Sequence, residues 1–154
     1  MQQTLGEKDP EMVTACSNLG KLYDALSEPQ KAFEYLNKSL TIKAHNLGSK
    51  HPSVASSYVE IANMFIDQGG FENALKYFGK SLIIGKETFG ETHPFVAGVY
   101  ENMGEIHLKQ GDLDSADKCF QNSLFILQNA GEPESEAHVL NNMGKAIQDK
   151  GRSV

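Results

Sequence analysis

The chain has 154 residues, of which 40% are hydrophobic and 22% charged, and a formal net charge of -6, the balance of an ordinary folded protein. An acidic chain without a basic stripe is a poor match to a nucleic-acid backbone, whose dominant attraction is cation to phosphate. Apolar runs as short as Leu82-Ile83-Ile84 fall far below the roughly 20 residues a membrane span needs, and the polar start Met1 to Pro10 is no secretory signal.

In chain order, residues 1–8 read as the tail of a preceding helix, because Leu5-Gly6 matches Leu47-Gly48 further on. A first complete unit is expected over 9–50. Its opening helix carries Val13, Cys16, Leu19, Gly20 and Tyr23 at helical spacing, and its second carries Ala32, Leu36, Ser39, Leu40 and Ile42. Ser27 is assigned as the N-cap of that second helix. The second unit, 51–92, repeats the pattern with Ala55, Tyr58, Ile61, Ala62 and Phe65, then Ala74, Phe78, Ser81, Leu82 and Ile84. The third, 93–132, has Ala97, Tyr100, Met103, Gly104 and His107, then Ala116, Phe120, Ser123, Leu124 and Ile126. Residues 133–154 hold one more opening helix, with Ala137, Leu140, Met143, Gly144 and Ile147, as a partial fourth unit or a cap.

The register is set by His51-Pro52 and His93-Pro94, 42 residues apart, with Asp9-Pro10 another 42 earlier. Proline at a helix start loses no hydrogen bond, and Gly48 and Gly90 mark helix ends. No segment alternates with period two, so the fold is all-α. A lone helix pair cannot bury its apolar stripe, and the copies must therefore stack. Gly20, Ala62, Gly104 and Gly144, with Ala32, Ala74 and Ala116, are expected where two helices approach closely. Cys16 and Cys119 fall on apolar faces and are expected as buried, reduced thiols, which suits a cytoplasmic protein.

Aromatic, Leu-Gly and aromatic positions in the first helix, followed by Ala, Phe and a small residue in the second, resemble the tetratricopeptide repeat. Tyr58, Ile61-Ala62, Phe65, Ala74, Phe78 and Ser81 carry the likeness in one copy; Tyr100, Met103-Gly104, Ala116, Phe120 and Ser123 carry it in the next. The unit is 42 residues long instead of the usual 34 or so. Its His-Pro openings, Gln-Gly turns (Gln68-Gly69, Gln110-Gly111) and closing Leu47-Gly48 and Phe89-Gly90 resemble the kinesin light chain variety. His107, in an aromatic position, and Ser27, where a turn glycine is usual, depart from the pattern.

The resemblance implies a right-handed superhelical solenoid of antiparallel helix pairs, serving as an adaptor or scaffold that binds a partner protein or peptide in its concave groove. The groove residues it implies are Thr14, Ser17, Lys21 and Asp24; Ser56, Val59, Asn63 and Ile66, with Asp67 beside them; Gly98, Glu101, Glu105, Leu108 and Lys109; and His138, Asn141 and Lys145. Asn18, Asn102 and Asn142 resemble the asparagines of kinesin light chains. The mixed charges match neither the basic grooves that take acidic peptides nor the chaperone-cofactor clamp for a terminal carboxylate, of which Asn63 alone fits. The alternative is a structural segment that self-associates through its unpaired last helix, which would expose Leu140, Met143 and Ile147.

Enzymatic chemistry is not expected. Gly85 to Gly90 has phosphate-loop glycine spacing but continues into Glu91-Thr92 and lacks a preceding strand. Glu105 and His107 fall on different helix faces and make no metal pair. No catalytic residue, metal or cofactor site, nucleic-acid partner or membrane partner is therefore assigned.

Overall fold

Proline opens five helices in the computed structural model, which describes residues 9–152. These are α1 (Pro10–Ala25), α2 (Pro29–Leu47), α3 (Pro52–Asp67), α5 (Pro94–Lys109) and α7 (Pro133–Arg152); α4 (Phe71–Phe89) and α6 (Leu113–Ala130) complete the set. All five prolines of the chain stand first in a helix, where the fixed φ is already helical and the missing N–H would have no intrahelical acceptor. Among the described residues there is no strand. The expected helical tail at 1–8 lies outside them.

The residue before the proline of α1, α3 and α5 caps the freed amides. Asp9 Oδ1 accepts from Glu11 N at 2.9 Å, and the Nδ1 atoms of His51 and His93 accept from Ser53 N and Phe95 N, each at 3.1 Å. The two histidines are thus helix caps, in keeping with their repeated position. Asp112 caps α6 through Ser115 N at 3.2 Å, and that hydrogen bond holds its carboxyl below its ordinary pKa.

Ser27 is not the cap of α2. Glu28 stands at that position without a side-chain capping bond, and Ser27 instead has φ 59°. The equivalent turn residues Gly69 and Gly111 have φ 75° and 78°, so serine takes a left-handed conformation that glycine adopts more readily.

The chain divides within α4 into two compact units, one ending at Ile84 and the other beginning at Gly85. In the first unit, α1 packs against α2 at Gly20, where an added Cβ would come within 2.5 Å of Leu36 Cγ. Leu36, Ala32, Ile61 and Met64 form a buried cluster, bordered by Tyr23, Phe33, Phe65 and Tyr77. Two serines tie second helices to first ones: Ser39 Oγ donates to Val13 O at 3.1 Å and Ser81 Oγ to Ala55 O at 3.0 Å.

In the second unit Gly104 lies against the ring of Phe120, where an added Cβ would stand only 2.6 Å from Cε1. Phe120 and Ala116 are wholly buried. Gly85, the first residue of this unit, is within the helix α4 and faces the ring of Phe95, so it belongs to a packing contact and not to a phosphate loop.

The last helix departs from expectation at Gly144, while its exposed Leu140 and Ile147 are those an unpaired last helix leaves open. Gly144 is exposed, and nothing lies within 4 Å of a Cβ built on it. α7 buries Val139, Asn142 and Ala146, while Leu140 and Ile147 of the expected stripe are 51% and 67% exposed. That stripe holds for first helices that have a second helix lying on them. α7 has no such helix among the described residues, so its buried face is the one turned toward α5 and α6.

The two glycines of this column should therefore respond oppositely to alanine. Gly104→Ala should destabilise the protein by ~1–3 kcal/mol through overpacking against Phe120. Gly144→Ala should be stabilising by up to about 0.5–1 kcal/mol, because it adds a better helix former in open space. Chemical-denaturation midpoints of the two variants check both signs.

Candidate functional site

A polar surface borders the packed stripe on each first helix, and the two units present it separately. In the first unit α1 and α3 lie side by side. Thr14, Lys21, Ser56 and Asn63 are exposed there, with Asp24, Val59 and Ile66 half-buried. Lys21 Nζ pairs with Glu60 Oε2 at 3.7 Å. Ser17 does not share this open surface: its hydroxyl meets Ser39 Oγ at 2.8 Å, toward α2. Ser56 turns its hydroxyl back onto Pro52 O at 3.3 Å.

Asp24 and Asp67 bring two carboxyls together at the end of this surface. Burial raises the pKa of Asp24, and both a hydrogen bond with Asp67 and its negative charge push the same way; Gln68 opposes them by hydrogen bonding. Two like charges at one place favour sharing a proton.

Behind the polar face sits an aromatic group that the stripe only half accounts for. Tyr77 stacks on Phe65 at 5.6 Å and lies 6.0 Å from Tyr58, with Phe33 beside Phe65 at 5.8 Å. Lys80 Nζ covers Tyr58 and Tyr77 at 5.5 and 5.1 Å from the ring centres. Burial pushes the Tyr77 phenol up in pKa. Phe33 and Tyr77 come from second helices and complete this group.

In the second unit α5 and α7 carry Glu101, Glu105, Leu108, Lys109, His138, Asn141 and Lys145. Lys109, His138, Asn141 and Lys145 are exposed, and the other three half-buried. The structure brings three of them together. His138 Nδ1 pairs with Glu101 Oε1, and Asn142 Nδ2 donates to Glu101 Oε1 at 3.3 Å and to Glu105 Oε1 at 3.2 Å. Glu105 thus has its histidine neighbour on α7, not at His107. His107 points elsewhere, its Nδ1 3.9 Å from Asp112 Oδ2. Gly98 is half-buried with open space above its Cα.

Asn142 and Glu60 occupy the same column of the repeat, together with Asn18 and Asn102. Each reaches the first helix before it within its own unit, Glu60 to Lys21 and Asn142 to Glu101 and Glu105. The likeness to kinesin light chain asparagines singles out Asn142 but passes over Glu60. The shared register is the signal that finds both.

Two family models of the tetratricopeptide repeat match the chain, one over residues 53–116 and the other over 13–46. The chain is a tetratricopeptide repeat protein. No curated protein matches it significantly in sequence. Among solved structures, this repeat protein is similar to BtubC (BKLC) from P. vanneervenii, with 29% identity and a TM-score of 0.81 over 93% of this chain and 58% of that one. A Podosopora anserina kinesin light chain-type protein with nearly identical TPR-like repeats is 20% identical, with a TM-score of 0.74 over 90% of this chain and 66% of that one. The TPR domain of Arabidopsis FLU is 21% identical, with a TM-score of 0.62 over 77% of this chain and 97% of that one. The repeat array thus spans less than two thirds of the first two relatives. Its solved neighbours thus include a protein of the kinesin light chain type, the variety that the 42-residue period resembles.

The Asp24 carboxyl supplies a pH signature for this surface. Its pKa is raised on folding, so the folded state binds the proton more readily, and stability falls as pH rises through the folded-state value. The resulting penalty is complete at neutral pH and absent where Asp24 is protonated both folded and unfolded. Asp24→Asn should therefore raise the denaturation midpoint at neutral pH, and the gain should vanish in acid below the usual carboxylate range. Paired urea titrations at the two pH values measure the difference.

Proposed function

We propose that this tetratricopeptide array is a protein-interaction module of the scaffold or adaptor kind, holding a segment of a partner protein along the polar face of its first helices. The observation that carries the reading is an open face that recurs. Beside the packed residues, Thr14 and Lys21 on α1, Ser56 and Asn63 on α3, Lys109 on α5, and Asn141 and Lys145 on α7 remain exposed. Asn63 offers a donor and an acceptor together, which suits the backbone of an extended segment. Val59, Ile66 and Leu108 are half-buried beside them and supply apolar surface for side chains of the partner.

No catalytic step is assigned to the chain. Among the described residues no helix is long and apolar enough to cross a membrane, so no spanning segment is assigned to them either. Charge also bears on the partner: the paired carboxyls of Asp24 with Asp67 and of Glu101 with Glu105 disfavour a strongly acidic segment.

The test compares capture from cell extract by the native chain and by Asn63→Ala combined with Lys109→Glu, read by mass spectrometry. Both residues are exposed, so circular dichroism should show unchanged helicity. A partner held by the native chain and lost by the double variant supports the polar face as the binding surface. Equal capture by both sinks that assignment.

A further inference from the structure

We propose that Glu101, Glu105 and His138 form a binding site for a divalent transition metal of the zinc class. This goes beyond the interaction-module reading and does not depend on it. Glu101 and Glu105 stand one helical turn apart on α5, and so on one face. His138 approaches them from α7, and one ligand atom of each residue lies within 4.8 Å of those of the other two. Around a zinc ion with ligands at about 2.0–2.2 Å, such atoms are roughly 3.3–3.5 Å apart, so the ion would enter by parting the His138–Glu101 pair and drawing Glu105 in. The histidine is exposed, and its Nδ1, which pairs with Glu101 Oε1, would exchange that partner for the metal.

A second observation concerns what lies beneath the three groups. Asn142 is only 5% exposed, and its amide donates to both carboxylates, at 3.3 and 3.2 Å. A buried amide orienting two carboxylates from behind is the outer-shell arrangement that fixes metal ligands. The Glu101 side chain is itself just 16% exposed, so its charge is partly withdrawn from water.

The fold does not call for these residues. At the positions of Glu101 and Glu105 the earlier copies have Val59 with Asn63 and Ser17 with Lys21, and at that of His138 they have Gly98, Ser56 and Thr14. Two carboxylates and an imidazole coincide solely at this joint of the repeat register. That donor set suits zinc, manganese, iron or cobalt better than the thiolate-seeking ions, and three protein ligands leave a further position open to water. The metal would fasten α7 to α5, offsetting the repulsion of the two carboxylates.

The experiment titrates the full chain, treated first with chelator, with cobalt(II) as a spectroscopic stand-in, then displaces it with zinc. The expected result is one saturable equivalent with visible bands of oxygen and nitrogen ligands. His138→Ala and Glu105→Gln should each weaken binding at least about tenfold, and bound zinc should slow amide exchange in α7. Absence of saturable binding overturns the proposal, as does equal binding by both variants. A sulfur charge-transfer band would move the metal to Cys119 or Cys16 and overturn it as well. Circular dichroism of the two variants, altered at polar surface positions, confirms that they are folded.

Discussion

The close approach of the two helices within a pair is the constraint on which the other features depend. At Gly20 and Gly104 the first helix comes so near the second that a single methyl group would collide with Leu36 or Phe120. The small second-helix residues Ala32, Ala74 and Ala116 are wholly buried. Packing of this density leaves little room for adjustment, so each pair behaves as a rigid piece whose side chains have fixed directions. Serines strengthen the seam by bonding across it to first-helix carbonyls, as Ser39 and Ser81 do. In the third copy Ser123 is buried in the same register without a partner for its hydroxyl, so the bond accompanies the seam but does not create it.

Rigid pairs fix the directions of the polar side chains beside each stripe, as the proposed binding role requires. The residues beside each stripe are carried by helices held together by other residues, those of the seam. Lys21 and Glu60 make a half-exposed pair, with Lys21 open to solvent and the paired Glu60 Oε2 withdrawn from it. Its consequence is positional, since it sets where one cation and one anion stand. Glu101, Glu105, His138 and Asn142 show the same separation of roles more strongly, because only Asn142 among them is buried.

Much of the architecture is legible in the sequence because it depends on local rules repeated at a fixed period. Proline starts, histidine caps and glycine ends all act within a few residues, and a 42-residue repeat shows each of them several times. The small seam residues are legible for the same reason, except where context differs: Gly144 fits the pattern but meets no neighbour. The second buried face of α3 and α5, with Val54 and Met64 on one and Val96 and Ile106 on the other, does not emerge from the stripe. A helix buried on two sides loses the simple contrast between one apolar face and one polar face, so a single stripe describes it incompletely. At the candidate site, helical spacing places Lys21, Asn63 and Lys145 on open surface but also admits Ser17, whose short side chain reaches Ser39 instead. The meeting of Glu105 with His138 and Asn142 joins different repeats, and no spacing rule within one helix reveals it.

Native-state amide hydrogen exchange, read helix by helix in the full chain, tests the seam most directly. If the close approach holds each pair together, amides of α5 and α6 facing Gly104 and Phe120 should be the slowest of the second unit, opening only with its global unfolding. Without added metal, α7 should open at a lower free energy, because it buries Val139, Asn142 and Ala146 while Gly144 faces open space. Protection in α7 equal to that of α5 and α6 would contradict the account, since it would show that a helix without such a seam is held as firmly as those with one.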